Sequence, residues 1–415
     1  ERRCKASILR WAWLKPRALA PMVSRRERDG AERFSGRKRG CRALGFTGPD
    51  LTVIVNDGPC QSAAAVFTSN RAKAHPIRWS MATLADGQAR AIVLNSGGAN
   101  CFTGPEGFQL AHKSAEHAAE VLMAAGVECS GSDVVICSTG LIGEPLPSGA
   151  VIRGIEVAIS DLDDSSQAGE QSAKAIMTTD SYPKTLTREV AGVTIGAMAK
   201  GAGMLAPGLA TMLVVITTDA DYEPETLDRM LRVATAESFD RLDSDGCMST
   251  NDQVTLMASG ASGQSPDEEV FQDALTAVCI ELAQMLQRDA EGASHDITID
   301  VIRAVSVDDA LAVGRAVARS NLFKAAVFGN DPNWGRILSA MGTAPGDFVV
   351  DQCDVSINGV RVCAAGQPDR PRSEVDMTPR AVRVEIDLRA GAASGVIWTN
   401  DLTHDYVHEN SAYSS

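Results

Sequence analysis

The chain has 415 residues, 44% of them apolar and 22% charged, proportions ordinary for a soluble globular protein with room for two or three domains. Its formal net charge of −14 argues against nucleic acid or an anionic membrane as a main partner, and no apolar run approaches the about 18 residues that a membrane span requires. Ten cysteines stand singly with no C-x-x-C pair, which excludes a zinc ribbon or disulfide scaffold and points to a reducing, cytoplasmic setting.

Residues 1–43 carry 14 Lys/Arg against 4 Asp/Glu, so the rest of the chain holds 24 net negative charges. An organellar transit peptide is Arg-rich and acid-poor in this way. The reading preferred here is a basic extension, disordered or foreign to the working protein. From about Gly45 the pattern turns globular. Strands are predicted at 51–57, 63–70, 91–100 and 133–140, and helices at Gly107–Ala125 and Ser166–Met177. Strands follow at 193–199 and 211–218, then a helix at Pro224–Glu237 capped by Asp221. Next come a strand at 253–259, a long helix from Asp267 to Asp289 and a strand at 297–305. A helix at Asp308–Ser320 precedes strands near AAVFG, DVSING, VRVEIDL and GVIWTN.

Strands arriving in pairs before helices imply an α+β layered fold and not a doubly wound parallel sheet. The domain change is placed near Val305, and a short polar tail follows Thr403. Six Gly/Asn/Ser/Thr-rich loops end apolar strands: NSGGANCFTG (95–104), CSTGLIGEPLP (137–147), MTTDSYPK (177–184), SDGCMSTND (244–252), DAEGASHD (289–296) and FGNDPNWGR (328–336). Loops of this kind expose backbone N–H groups and hydroxyls, the usual material of substrate pockets. No nucleotide fingerprint is present, since GAG at 201–203 lacks the third glycine. The six histidines show no metal-ligand spacing, so no metal is expected.

The segment KGAGMLAPGLATML, Lys200 to Leu213, puts a lone hydroxyl residue, Thr211, between a Gly/Pro-rich run and a steeply apolar strand. Such a loop can hold a hydroxyl rigidly beside a strained peptide bond, which suits self-cleavage before Thr211 and use of the freed residue as nucleophile. A turn feeding a core strand has the same pattern.

This segment, together with STG at 138–140, TTD at 178–180, STND at 249–252, DPNWGR at 331–336 and the terminal NSAYSS, resembles the ornithine acetyltransferase family. That family is the bifunctional glutamate N-acetyltransferase of the cyclic arginine pathway, and the likeness runs from about Asp50 to Ser415. The resemblance implies a four-layer αββα sandwich like that of self-cleaving N-terminal-threonine hydrolases. It would be formed by 44–305 with 404–415, beside a smaller α/β domain at 306–403. It implies cleavage between Ala210 and Thr211 into chains 1–210 and 211–415, assembled as an α2β2 heterotetramer. Thr211 would be the nucleophile, Thr139 and Gly140 the oxyanion hole, and Thr178, Lys200, Thr211, Glu291, Asn410 and Ser415 the substrate contacts. A free α-amine, with a reference pKa of about 8, would let Thr211 serve as its own base.

The implied reaction moves the acetyl group of N2-acetyl-L-ornithine to L-glutamate by ping-pong through an acetyl-Thr211 ester. It needs no cofactor, and the resemblance leaves open acetyl-CoA as a second donor. An N-terminal-nucleophile amidohydrolase or aminopeptidase would share the machinery and differ in giving the acyl group to water. A binding protein that has lost cleavage is a third reading, disfavoured because Thr211, Thr139 and Gly140 are all present. The chain departs from the family pattern at Gly208, where Asn is common, at Ser294 and His295 in EGASH, where the family has Thr and Lys, and at Cys247, Met248 and Ser415.

Overall fold

The first strands are apolar on both faces, and that decides the architecture. The computed structural model describes residues 50–206 and 212–412, with the backbone of 17–19. Five strands, β1 (Arg17–Leu19), β2 (Leu51–Val55), β4 (Ala91–Asn95), β5 (Val134–Ser138) and β6 (Leu162–Asp163), make the first sheet, ordered β5-β4-β2-β1-β6. The second sheet takes β3 (Ala63–Phe67), β7 (Lys184–Val190), β8 (Val193–Lys200), β9 (Leu213–Thr218) and β10 (Gln253–Ala258), ordered β3-β10-β9-β8-β7.

Along β2, Leu51, Val53 and Val55 pack outward against α2 (Gly104–Ala124) and α3 (Ser148–Ser160), burying Leu110, Leu122 and Ile155. Ile54 points the other way, with Ile92, Leu94 and Val135, to meet Met198, Leu213, Val215 and Met257 of the second sheet. Alternate residues of a strand face opposite sides of its sheet, so this double set of apolar residues requires cover on both faces. The far face of the second sheet, with Ile195, Val214, Ile216 and Leu256, is covered by α5 (Pro224–Ala236) and α6 (Glu268–Arg288). Helix, sheet, sheet and helix form the four layers of an α+β fold. The remaining helices here are α1 (His75–Thr83), against β5, and α4 (Ser166–Ala175), which sends Ala173 into the core between the sheets.

A third sheet, ordered β14-β13-β12-β15-β11-β16, has its own core. Its strands are β11 (Asp296–Ala304), β12 (Asp354–Ile357), β13 (Val360–Ala364), β14 (Gln367–Pro368), β15 (Ala381–Asp387) and β16 (Ala393–Asn400). Helices α7 (Val307–Ala318), α8 (Asn321–Phe328) and α9 (Trp334–Met341) pack on it. The chain then enters α10 (His404–Ala412).

Several elements differ from their predicted form. AAVFG, read as a strand, lies in α8, where Ser320 caps the helix through its hydroxyl and Phe323 and Val327 fill the third core. Asp221 does not cap α5; the cap residue is Glu223, with Pro224 opening the helix, and the Asp221 carboxylate accepts from Cys60 Sγ instead. β11, assigned by sequence to the near side of a boundary at Val305, pairs with β15 and β16 and buries Ile297, Ile299 and Val301 in the third core. Within the basic extension, the described backbone Arg17–Leu19 pairs with β2 and β6.

Candidate active site

The ends of β5, β8 and α4 meet where the Gly-rich loops converge. The turn after β5 is tied to the turn after β4: Thr139 N–H donates to Asn95 O at 2.9 Å, and Ser138 Oγ to Asn95 Oδ1 at 2.5 Å. From a third loop, the Asn251 side-chain amide donates to Ala99 O at 2.7 Å and to Ser138 O at 2.8 Å. Gly140 has φ +126°, where side chains are rarely tolerated, and a Cβ there would lie 2.8 Å from Gly98 N. Glycine is what lets the two turns pass each other, so Thr139 and Gly140 are held on a rigid backbone.

Lys200, the last residue of β8, is 1% exposed. Its ammonium donates to Thr178 Oγ1 at 2.8 Å and to Thr139 Oγ1 at 3.2 Å. Three residues chosen from sequence, separated by up to 61 positions, therefore share one hydrogen-bonded cluster. Burial lowers the Lys200 pKa from its ordinary value, and the facing Asp180 carboxylate offsets part of that shift.

Glu291 and Asn410 form a second cluster. Asn410 Nδ2 donates to Glu291 Oε2 at 3.0 Å, and Glu291 N–H donates to Ala202 O at 2.9 Å, two residues from Lys200. The tail is a helix held against this loop, not a loose end. Thr403 Oγ1 donates to Gly292 O at 2.6 Å and accepts from Tyr406 N–H at 2.9 Å. Gly292 (φ +61°) allows that approach, since a Cβ would come within 2.2 Å of Tyr406 N. Ala210, Thr211 and Ser415, with Gly208, lie outside the described residues. The flanking residues Ala206 and Met212 are both buried.

Sequence reasoning missed the buried ion chain that joins these clusters. Lys184 Nζ lies 2.7 Å from Asp180 Oδ1 and 2.6 Å from Asp289 Oδ2, and the lysine is fully buried. Asp180 Oδ1 also accepts Gly201 N–H at 2.7 Å, and its Oδ2 accepts Thr178 N–H at 3.0 Å. Asp180 thus fixes the backbone at both Thr178 and Lys200, while Asp289 stands two residues before Glu291. Burial pushes the Asp180 carboxyl up, but the Lys200 and Lys184 ammoniums and the Gly201 N–H together hold it below the ordinary carboxylate range. A local sign existed, since Asp180 and Lys184 share the MTTDSYPK loop. The partner Asp289 is 105 positions away.

Two other motifs serve structure. In DPNWGR, Asn333 caps α9 and Asp331 pairs with Arg372. In EGASH, the His295 ring contacts Asp401 Oδ2 at 2.8 Å and Met377 O at 3.2 Å, and Ser294 donates to the same carboxylate, so both departures are built into the junction with β16.

Hydroxyl and backbone donors beside a buried ammonium, in a four-layer α+β frame, are the equipment of an acyl-transfer enzyme. The ArgJ family model matches residues 33–415. The arginine biosynthesis bifunctional protein ArgJ of Streptomyces coelicolor is 56% identical over 88% of this chain and 94% of its own length. Its counterpart from Thermobifida fusca is 55% identical over 88% and 94%. A crystal structure of ornithine acetyltransferase complexed with ornithine, from Mycobacterium tuberculosis, is 39% identical, covering 42% of this chain and 89% of that one, with a TM-score of 0.37. The chain belongs to the ArgJ family and is an acetyltransferase of arginine biosynthesis. Among the described residues no helix is long and apolar enough to cross a membrane.

Proposed function

We propose that the chain transfers the acetyl group of N2-acetyl-L-ornithine to L-glutamate by a ping-pong mechanism through Thr211. The observation that carries this is the Lys200 ammonium joining the Thr139 and Thr178 hydroxyls, one strand pairing from Leu213. Cleavage at the 210/211 bond frees the Thr211 α-amine. That amine takes the hydroxyl proton as Oγ attacks the acetyl carbonyl. Negative charge develops on the carbonyl oxygen, where the Thr139 hydroxyl and Gly140 N–H stabilise it. One such donor is typically worth about 3–4 kcal/mol.

The proton passes to the leaving amine as the amide C–N bond breaks, and ornithine departs from an acetyl ester. The neutral amine of glutamate then attacks the ester. Its proton returns through the Thr211 amine to Oγ as the C–O bond breaks. Lys200 is suited to hold a substrate carboxylate, and Glu291, with Asn410 and Ser415, the charged amino end of ornithine. An ester conserves the acyl group's reactivity, so no cofactor is consumed in the exchange. Acetyl-CoA is a possible second donor at the same nucleophile. The same reading carries an α2β2 assembly of chains 1–210 and 211–415, acting in the cytoplasm.

The test is incubation with N2-acetyl-L-ornithine alone, then with glutamate. Expected are one equivalent of ornithine released, one acetyl group gained by the 211–415 chain, and N-acetylglutamate on adding glutamate. Release of acetate in place of N-acetylglutamate would make the enzyme a hydrolase. In parallel, Thr211→Ala should run as one full-length band on a denaturing gel, against two for wild type.

A further inference from the structure

The backbone that follows Lys200 is pinned on both sides of Gly203. Before it, Gly201 N–H donates to Asp180 Oδ1 at 2.7 Å and Ala202 O accepts Glu291 N–H at 2.9 Å. After it, Met204 N–H donates to Asp245 Oδ2 at 2.8 Å and Leu205 O accepts Ser244 N–H at 2.5 Å. Met204 is held at φ +54°, an uncommon conformation for a residue with a side chain. Gly203 has no positive φ, so its backbone would accept alanine, and its need for glycine is one of space. A Cβ there would lie 2.5 Å from Glu291 Oε2, 2.6 Å from Cδ and 2.7 Å from Oε1. The Glu291 carboxyl group therefore fills the place that a side chain at 203 would take, and Asn410 Nδ2 of the tail helix holds its Oε2 at 3.0 Å.

We propose that Gly203 is a positioning residue that sets selectivity for substrates with a cationic side-chain end, by admitting the Glu291 carboxyl group to the spot where that end is received. A methyl at 203 would need about 1 Å of clearance from Glu291 to reach ordinary van der Waals contact. The loop cannot supply it without breaking the hydrogen bonds at Gly201, Ala202, Met204 and Leu205. Glu291 can, because its side chain turns about three single bonds. The carboxyl group is thus the part that moves, at little cost to the fold. Hydrogen bonds between an ammonium and a carboxylate depend on distance and direction, so the displaced group no longer meets the substrate's amine. Glutamate carries no cation at its side-chain end, so its half of the reaction does not use this contact.

This inference rests on the reading of Glu291 as the contact for the amino end of ornithine, and the experiment separates the two. Transfer to glutamate would be measured from N2-acetyl-L-ornithine and from N2-acetyl-L-norvaline, which has the same carbon chain without the terminal amine. Gly203→Ala should lower kcat/KM for the ornithine compound roughly tenfold, mostly through KM, as a misplacement of about 1 Å does. It should leave kcat/KM for the norvaline compound and KM for glutamate within about twofold of wild type, with the melting temperature little changed. In a Glu291→Ala background the same glycine substitution should have almost no further effect, because the group it displaces is gone. Equal losses for both donors, or a loss that persists without Glu291, would mark a merely structural glycine and overturn the proposal. So would a Gly203→Ala enzyme with wild-type selectivity beside a Glu291→Ala enzyme that has lost it. Full selectivity in Glu291→Ala would instead sink the reading of Glu291, and this inference with it.

Discussion

Replacing Lys184 by Met tests whether the buried ion chain holds the site together. The ammonium sits 2.7 Å from Asp180 and 2.6 Å from Asp289, with all three side chains almost wholly out of water. Removing it leaves two buried carboxylates, supported by the N–H groups of Thr178, Ser181 and Gly201 and by the charge of Lys200. Breaking a buried pair by deleting one partner costs about 3–5 kcal/mol, a large share of the about 5–15 kcal/mol that stabilises a native protein. A melting temperature lower by about 5 °C is expected.

The sign of the pH effect follows from Asp180. Its folded pKa is depressed, so its stabilisation is present above the ordinary value of 3.8 and is lost as pH falls through the lower folded value. Without Lys184 the depression shrinks, and the Asp180 carboxyl takes up its proton earlier on acidification. The gap between wild type and Lys184→Met should therefore hold from about pH 7 to about pH 5 and narrow only as pH falls below the ordinary value of 3.8. Urea unfolding followed by tryptophan fluorescence at about pH 7, 5 and 3 measures this. The double variant Lys184→Met/Asp289→Asn should recover part of the loss. A gap below about 1 kcal/mol at pH 7 would refute the reasoning, because it would fall in the range of an exposed pair.

Other outcomes follow from single contacts. Gly140→Ala forces a methyl to 2.8 Å from Gly98 N at a backbone φ of +126°, so it should lower the melting temperature as well as cut kcat by about 100-fold. Transfer kinetics beside thermal unfolding would expose a merely global effect. Asn410→Ala removes the 3.0 Å hydrogen bond to Glu291 and should raise KM for N2-acetyl-L-ornithine roughly fivefold, the equivalent of about 1 kcal/mol, with kcat little changed. Burial lowers Lys324 to about 8 from 10.5, with Asp245 and Asp243 resisting, so between those values the unfolded chain binds more protons and stability rises with pH. That gain, up to roughly 3 kcal/mol, should be missing from Lys324→Met in denaturation series from pH 8 to 10.

Local pattern was enough for what depends on near neighbours. Near-continuous apolar runs at 51–55 and 91–95 marked buried strands, and Asp267 before an apolar helical period marked the start of α6, whose first turn it caps. The motifs around Thr139, Thr178, Lys200 and Glu291 could be named in advance because those short runs resemble the motifs of a known family, not because their local pattern differs from that of an ordinary turn. Competition between local preference and packing defeated the prediction at AAVFG. Val327 and Phe328 favour a strand by type, yet the Ser320 cap and the third core turn the segment into a helix.

Tertiary structure alone decided how the pieces share charge and hydrogen bonds. Nothing in the order of residues joins Lys184 to Asp289, Asn251 to Ser138 or Asp252 to Met212; those pairs exist because two sheets stack and bring loop ends together. A hydrophobic period is a property of one segment, set by the geometry of its own backbone. A buried ammonium or an unpaired carboxyl oxygen is a property of every segment that surrounds it, and its energy has no value until water has been excluded. That is why motif resemblance in the sequence could nominate Lys200 and Glu291, while the pairing of Lys184 with Asp180 and Asp289 emerged only from the fold.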